Sequence, residues 1–471
     1  MPAPDAFTGQ DLRALTATLC SFDTAVVGQG SEAMFEAIAR ELPLTLHRYA
    51  SGTVHNGWVV PQLWRVEKAL LKKDGVVVFD GRSNPLGVGL CSKSFCGSLN
   101  LEELRKHLVT NRELPSAFMY HYMWQFRPWC ADWVLSMPYD VYKTLGPGRY
   151  DVELVTSFTP GEMLVGESVL PGKSPTCIVL NAHTCHPHMA NDALAGAALL
   201  IRLMQWLRDR DHYYTYRLVL APEIMGTSFY LKDRSLAELT DMTGCIIAEM
   251  PGTPGPLKIA STFLGNQPLD HAVTNAARHY AKAYVTVPWR QGAGNDETVW
   301  EAPGYEVPCL EITRCQEKNR PFPQYHSNLD TAELMDPGLL EEFFDVLRRS
   351  VDTLESNARM KRRFNGLICL SNPDYDLYFE RYDPTVKKDL SGDADKWAFL
   401  LNSLFRYFDG SMSILDIARK HDLPFDRLRD YLLRFRDKGL LDMEFDSVRR
   451  PTMPADHSAP AAAERCPRPE S

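Results

Sequence analysis

Between residues 183 and 192 the sequence places three histidines and an aspartate: His183, His186, His188 and Asp192. They follow Cys177–Ala182, an apolar run with the length and makeup of a buried parallel strand. A long apolar helix is expected from about Ala193. Imidazole and carboxylate groups crowded into a loop at the carboxyl end of a strand are donors for a divalent metal, zinc above all. Each also has an ordinary role open to it. A loop histidine is commonly solvated or hydrogen-bonded, and Asp192 stands where the N-cap of the next helix would fall. Both readings stand at the level of local sequence.

Further candidates lie at the ends of later apolar runs. Glu223 follows Leu218–Pro222, Glu249 follows Cys245–Ala248, Asp296 and Glu297 close Gly292–Glu297, and His326 lies in Pro323–Asp330. Successive parallel strands deliver their carboxyl ends to one edge of a sheet, so ligands scattered in sequence can converge there. A zinc ion with an open position lowers the pKa of bound water, and a neighbouring carboxylate can take the proton. That is the chemistry of amide hydrolysis.

The elements that must position these residues follow from pattern. Residues 1–47 read as helical, with apolar positions from Leu12 to Leu19 and from Met34 to Leu42 at helical spacing. Residues 48–171 form a β-rich module of short strands separated by turns such as Lys73-Asp74-Gly75. Its aromatic stretch, Phe118–Trp133, fills a core or, through His121, Tyr122, Trp124 and Trp129, walls a cleft. Residues 172–365 alternate strand and helix, closing with a helix over Pro337–Met360, which implies a mainly parallel, doubly wound α/β sheet. Residues 373–445 carry helices, a tight connection and a Gly-Leu-Leu step into a strand, the pattern of a winged helix. The Pro- and Ala-rich tail, 446–471, reads as disordered.

Composition excludes several classes. A net charge of −9 over 471 residues argues against nonspecific nucleic-acid binding. No apolar run is long enough for a membrane span, and the N-terminus lacks the regions of a secretory signal. Eleven cysteines with no Cys-x-x-Cys pair fit reduced thiols. A cytoplasmic protein without membrane partners is expected.

The order His183, Asp192, Glu223, Glu249 and Tyr325-His326 resembles the co-catalytic zinc aminopeptidases. More closely, the chain resembles a bacterial group of aminopeptidase-like proteins that carry an inserted β-rich module and a C-terminal winged helix. The resemblance rests on Cys185-His186-Pro187, Ala190-Asn191-Asp192, the Pro222–Gly226 turn, Asp296-Glu297, Pro303-Gly304, Tyr325-His326-Ser327 with Asp330, and Trp58–Pro61 with Trp64 in the module. It implies a mixed doubly wound sheet. It also implies His183 as first zinc histidine, Asp192 as bridging carboxylate, Glu249 as a further ligand, His326 as last ligand and Glu223 as general base.

The departures are specific. Cys185 and Ile224 stand where that family has an Asp and a ligating Glu. His186 then makes up for the lost ligand, and the expectation is one zinc per chain. Asp296 and Glu297 are candidates for a replacement carboxylate, Glu297 also for a catalytic one. Asp330 is a candidate to orient the His326 imidazole. The implied activity is zinc-dependent cleavage of an N-terminal residue or another amide in a small peptide or conjugate. The competing class is a peptidase-like sensor that acts on DNA or a protein through the winged helix, whose stretch Arg419–Arg436 mixes arginines with Asp422, Asp426 and Asp430. A homo-oligomer is compatible with either.

Overall fold

The computed structural model describes residues 7–130, 132–317, 320–378 and 394–450. The tail expected to be disordered lies outside these from residue 451 onward.

An eight-stranded mixed sheet forms the centre, in the order Thr45–Ala50, Glu162–Leu170, Thr215–Ala221, Cys177–His183, Met242–Ala248, Cys309–Thr313, Leu257–Ala260 and Tyr284–Val287. Four neighbouring strands, from Thr215–Ala221 to Cys309–Thr313, run parallel, so their carboxyl ends share one edge. Cys177–His183 is buried along its whole length. Its side chains alternate between two cores: Ile178, Leu180 and Ala182 face one layer of helices, and Cys177 and Val179 the other. The first layer includes Gly9–Cys20, Ala195–Arg208, Pro268–Tyr280 and Pro337–Ser356, and the second is led by Met225–Lys232.

Of the residues expected to form the β-rich module, 51–161 lie outside the central sheet. Thr45–Ala50 and Glu162–Leu170 pair with each other in the central sheet, so residues 48–50 and 162–170 belong to the main body. Between them the module folds around its own antiparallel sheet of Val76–Asp80, Leu63–Lys73, Arg149–Thr159 and Phe95–Asn100. Leu71, Leu135, Val152 and Leu154 are in its core.

The helix Pro268–Tyr280 is followed by the edge strand Tyr284–Val287. The closing helix stops at Ser356. After Asn357 the chain enters a strand, Ala358–Arg362, at the middle of a three-stranded antiparallel sheet with Asp409–Ser413 and Leu441–Phe445. Helices Ala394–Ser403, Ile414–His421 and Phe425–Asp437 pack on that sheet. This C-terminal unit shares the core of the main body. It is also tied there by Arg349 to Asp426 at 2.8 Å and by Asn275, which donates to Leu423 O and accepts from Phe425 N. Several of its arginines are already partnered: Arg429 by Asp430, Arg436 by Asp437, and Arg434 by the carbonyl of Asp376. Among the described residues no helix is long and apolar enough to cross a membrane.

Candidate metal centre

His183 is the last residue of its strand and lies in register with Ala221, two residues before Glu223. On the other side Asn181 pairs with Ile247, so one pleat further His183 meets Glu249. Its Nε2 is 3.0 Å from Glu249 Oε1, and both side chains are buried.

The chain then turns through Thr184–His186, and a wide turn at Ala190–Leu194 precedes the helix Ala195–Arg208. Asp192 is not an N-cap: its backbone is non-helical, and no side-chain cap bond is made there. Asp330 holds this turn. Its carboxylate accepts the N–H groups of Asn191 at 2.9 Å and Asp192 at 3.0 Å, and its carbonyl accepts that of Ala190. Asp330 is therefore the clamp of the Asp192 turn and does not orient the His326 imidazole. Asn191 adds a bond from Gly252 N at 2.7 Å.

So held, Asp192 Oδ2 lies 3.2 Å from His326 Nε2 and 3.8 Å from His186 Nε2. Two three-residue sets result, His186/Asp192/His326 and His183/Asp192/Glu249, and a third combines His183, Cys185 and His186. Within each set the donor atoms lie within 4.8 Å of one another. Asp192 is common to the first two. His186 thus stands on the His326 side of Asp192.

The inserted module covers this cluster. Tyr120 N donates to His326 O at 2.8 Å, and the Tyr120 hydroxyl donates to Cys185 O at 3.3 Å. The Tyr122 ring stacks on Tyr120 and meets His326 edge-on, with centroids 5.0 Å apart. Tyr325 stacks on the same imidazole at 3.8 Å.

Glu223 is half-buried on a γ-turn. Ile224 takes φ +60° and ψ −62°, and Met225 N donates to Glu223 O at 2.6 Å. A β-branched residue in that conformation costs roughly 1–3 kcal/mol. Asp296 secures the turn by accepting from Ile224 N and the Thr227 hydroxyl. It is thereby committed to the backbone and is not a replacement ligand. Glu297, the other such candidate, also stands outside all three sets. Its carboxylate accepts Asn295 N at 2.6 Å and lies 3.5 Å from Arg290. Cys185 Sγ accepts Glu223 N at 3.3 Å and is 3.5 Å from His186 Nδ1. Burial pushes its thiol well up, so it is a protonated spacer rather than a thiolate nucleophile.

Two supporting residues escaped the sequence reading. Glu311, buried in Cys309–Thr313, accepts the N–H groups of Ala293 and Gly294, and so shapes the loop that carries Asn295. Asn295 in turn donates to Glu249 Oε2 at 2.7 Å. A lone glutamate inside the apolar run Val307–Ile312 was the available signal for Glu311.

The electrostatics fit a bound cation. Burial holds the carboxyls of Asp192 and Glu249 well above their usual range and lifts that of Glu223 to about 8. Burial likewise drives His186 well down and His326 to about 3, with His183 adding to both. His183 Nδ1, Asp192 Oδ2 and His326 Nε2 are buried and in no hydrogen bond. A divalent ion would satisfy such atoms, keep the carboxylates ionised and the imidazoles neutral. Imidazole with carboxylate is a zinc donor set.

With this geometry in place, residues 13–357 match the family defined by the domain of unknown function DUF4910, and the chain belongs to that family. Its fold is that of the bacterial zinc aminopeptidases. Among individual proteins, a candidate polysaccharide biosynthesis protein with an aminopeptidase-like domain, from Clostridium acetobutylicum, is 26% identical over 90% of this chain and 94% of its own. The crystal structure of a candidate peptidase from Clostridium acetobutylicum superposes with a TM-score of 0.76 at 24% identity, covering 93% of this chain and 96% of that one. A zinc aminopeptidase from Bacillus subtilis superposes at 0.57 with 13% identity over 74% of this chain and 95% of its own.

Proposed function

We propose that the chain is a zinc-dependent, aminopeptidase-like hydrolase that removes an N-terminal residue or cleaves another amide bond in a small peptide or conjugate. The observation that carries this reading is the position of Asp192 Oδ2, buried and outside any hydrogen bond between His186 and His326, with the Glu223 turn on the neighbouring strand end.

His186, Asp192 and His326 would hold the ion, and His183 with Glu249 flank it. Bound zinc supplies acidified water and polarises a carbonyl. The chain's own groups do the rest. Glu223, whose carboxyl burial raises and a bound cation would keep ionised, would take a proton and return it to the leaving amine. Asp296 and Cys185 fix its backbone, so the carboxyl keeps one position through both transfers. Tyr122 presents a half-buried hydroxyl that no described residue bonds, placed to donate to the substrate carbonyl oxygen. The module excludes water over the site through Tyr120 and Tyr122.

The test is release of amine from a panel of aminoacyl and peptidyl amides by the zinc-loaded chain, beside Glu223→Gln. Hydrolysis that disappears in E223Q while zinc is retained is the expected result. No turnover by the wild type, or undiminished turnover by E223Q, would sink the reading.

A further inference from the structure

A second cavity lies behind the metal loop, between the segment joining the first two helices and the inserted module. It holds about 860 Å³ of space including its open mouth. Asp23, Val27, Trp64, Leu90 and Gln125 line it, with Arg65 and Arg82 also on its wall. No residue of the metal sets does.

Its chemistry is that of a zwitterion site. Asp23 is an exposed residue of the wall, and among the described residues no hydrogen bond or ion pair reaches its carboxylate. Burial pushes that carboxyl up, with His188 acting the other way. An ammonium group beside it would form a charge-assisted bond. Trp64, anchored by its indole N–H on Ser92 O at 2.9 Å, also lines the cavity, and an aromatic ring is a second kind of partner for a cation. Val27 and Leu90 provide an apolar wall. Arg65 and Arg82 are exposed, and Arg82 spends one N–H on Glu67 O, leaving the rest of its fork to receive a carboxylate.

The walls also touch the metal loop. The Thr24 hydroxyl, next to Asp23, donates to His186 O at 3.2 Å. Gln125 accepts Val26 N at 2.9 Å and donates to the Tyr120 hydroxyl at 3.2 Å, which itself donates to Cys185 O. Two consecutive carbonyls of the loop that carries His186 are therefore bonded to residues next to the cavity wall: Thr24, between the wall residues Asp23 and Ala25, and Tyr120, which the wall residue Gln125 bonds.

We propose that this cavity binds a free amino acid or very short peptide as its zwitterion, ammonium at Asp23 and Trp64 and carboxylate at Arg65 and Arg82, and that occupancy alters the hold of His186 on the metal. The binding half is independent of the hydrolase reading. The coupling half rests only on His186 being a ligand.

The test is calorimetric titration of the full chain with leucine and phenylalanine, which contain no bond to cleave, and with leucinol and 4-methylpentanoate, which lack the carboxylate and the amine. Leucine or phenylalanine should bind the wild type and His326→Ala alike. Affinity should fall at least about tenfold for both truncated analogues and in Asp23→Asn, with Arg65→Ala/Arg82→Ala as an independent second variant. No binding up to about 10 mM, binding unchanged in D23N, or binding lost in H326A would each overturn the site; the last would place the ligand at the metal centre. For the coupling, the bound amino acid should change the rate at which a chelator strips zinc from wild type and leave D23N unaffected. Equal rates with and without ligand overturn it.

Discussion

Asp330 reaches across 138 residues of sequence to accept the backbone N–H of Asp192 at 3.0 Å. The carboxylate common to two ligand sets is thus aimed by a second carboxylate that touches no ligand side chain. Replacing Asp330 by Ala leaves two buried N–H groups without an acceptor and lets the turn relax. Zinc affinity should fall roughly 10- to 100-fold, read by competition with a chromogenic chelator. Unchanged affinity would mean that the turn is held by Asn191 alone.

The two sets that share Asp192 differ in donors. His186/Asp192/His326 offers two imidazoles and one carboxylate, and His183/Asp192/Glu249 one imidazole and two carboxylates. The first suits zinc better. About one ion should survive a chelator wash and be lost in His326→Ala. A second, weaker ion should enter with excess zinc and be lost in Glu249→Gln. Mass spectrometry of the intact protein distinguishes these states.

Stability should fall with rising pH when metal is absent and fall much less when it is bound. Glu223, at about 8, and Asp296 and Asp330, at about 7, all lie above their unfolded values because of burial. A raised carboxyl binds more protons folded than unfolded. Its contribution is complete below about pH 4 and is lost as pH rises through about 7 to 8. The chelated protein should therefore lose melting temperature between about pH 5 and pH 8. Added zinc should restore most of the loss at the upper end. A flat profile for the chelated protein would contradict this.

Tyr122→Phe removes one hydroxyl and keeps the ring against Tyr120 and His326. With the hydroxyl bonding the reacting carbonyl oxygen, kcat should fall about 100- to 1,000-fold with KM little changed. Zinc content should stay at the wild-type level. A matching loss of zinc would point instead to a structural role.

Gly196 sits where the helix Ala195–Arg208 crosses the strand ending beside Glu249, and a Cβ there would lie 2.0 Å from the Ala248 carbonyl oxygen. Gly196→Ala must push helix and strand apart, at a cost of about 1–3 kcal/mol. Denaturant unfolding measures it.

The parallel core was legible because buried strands such as Cys177–His183 are short, continuous apolar runs, and parallel order itself brings His183, Glu223 and Glu249 to one edge. The meeting of His186 with His326 came only from resemblance, since no local pattern links residues 140 apart in sequence. Roles carried by carboxylate-to-backbone bonds were not legible. Asp296 and Glu297 look like ligands or catalytic groups in sequence, and Asp330 like a partner of the His326 imidazole, but all three spend themselves on N–H groups of loops whose course no periodicity reveals. Glu311 was hidden inside a strand for the same reason. The expected extension of the closing helix to Met360 failed because Ala358–Arg362 finds two strand partners far along the chain, and tertiary pairing outweighs local helical spacing.

That strand bears on how the chain is inherited. The family match ends at Asn357, one residue before Ala358–Arg362 begins, and the later strands Asp409–Ser413 and Leu441–Phe445 enclose it on both sides. A gene cut at the family boundary would strip the main body of a shared core, and one cut a few residues later would leave a strand with two open edges, a template for self-association. The C-terminal unit therefore completes a core shared with the main body, and a coding sequence cut between them leaves apolar surface on both sides.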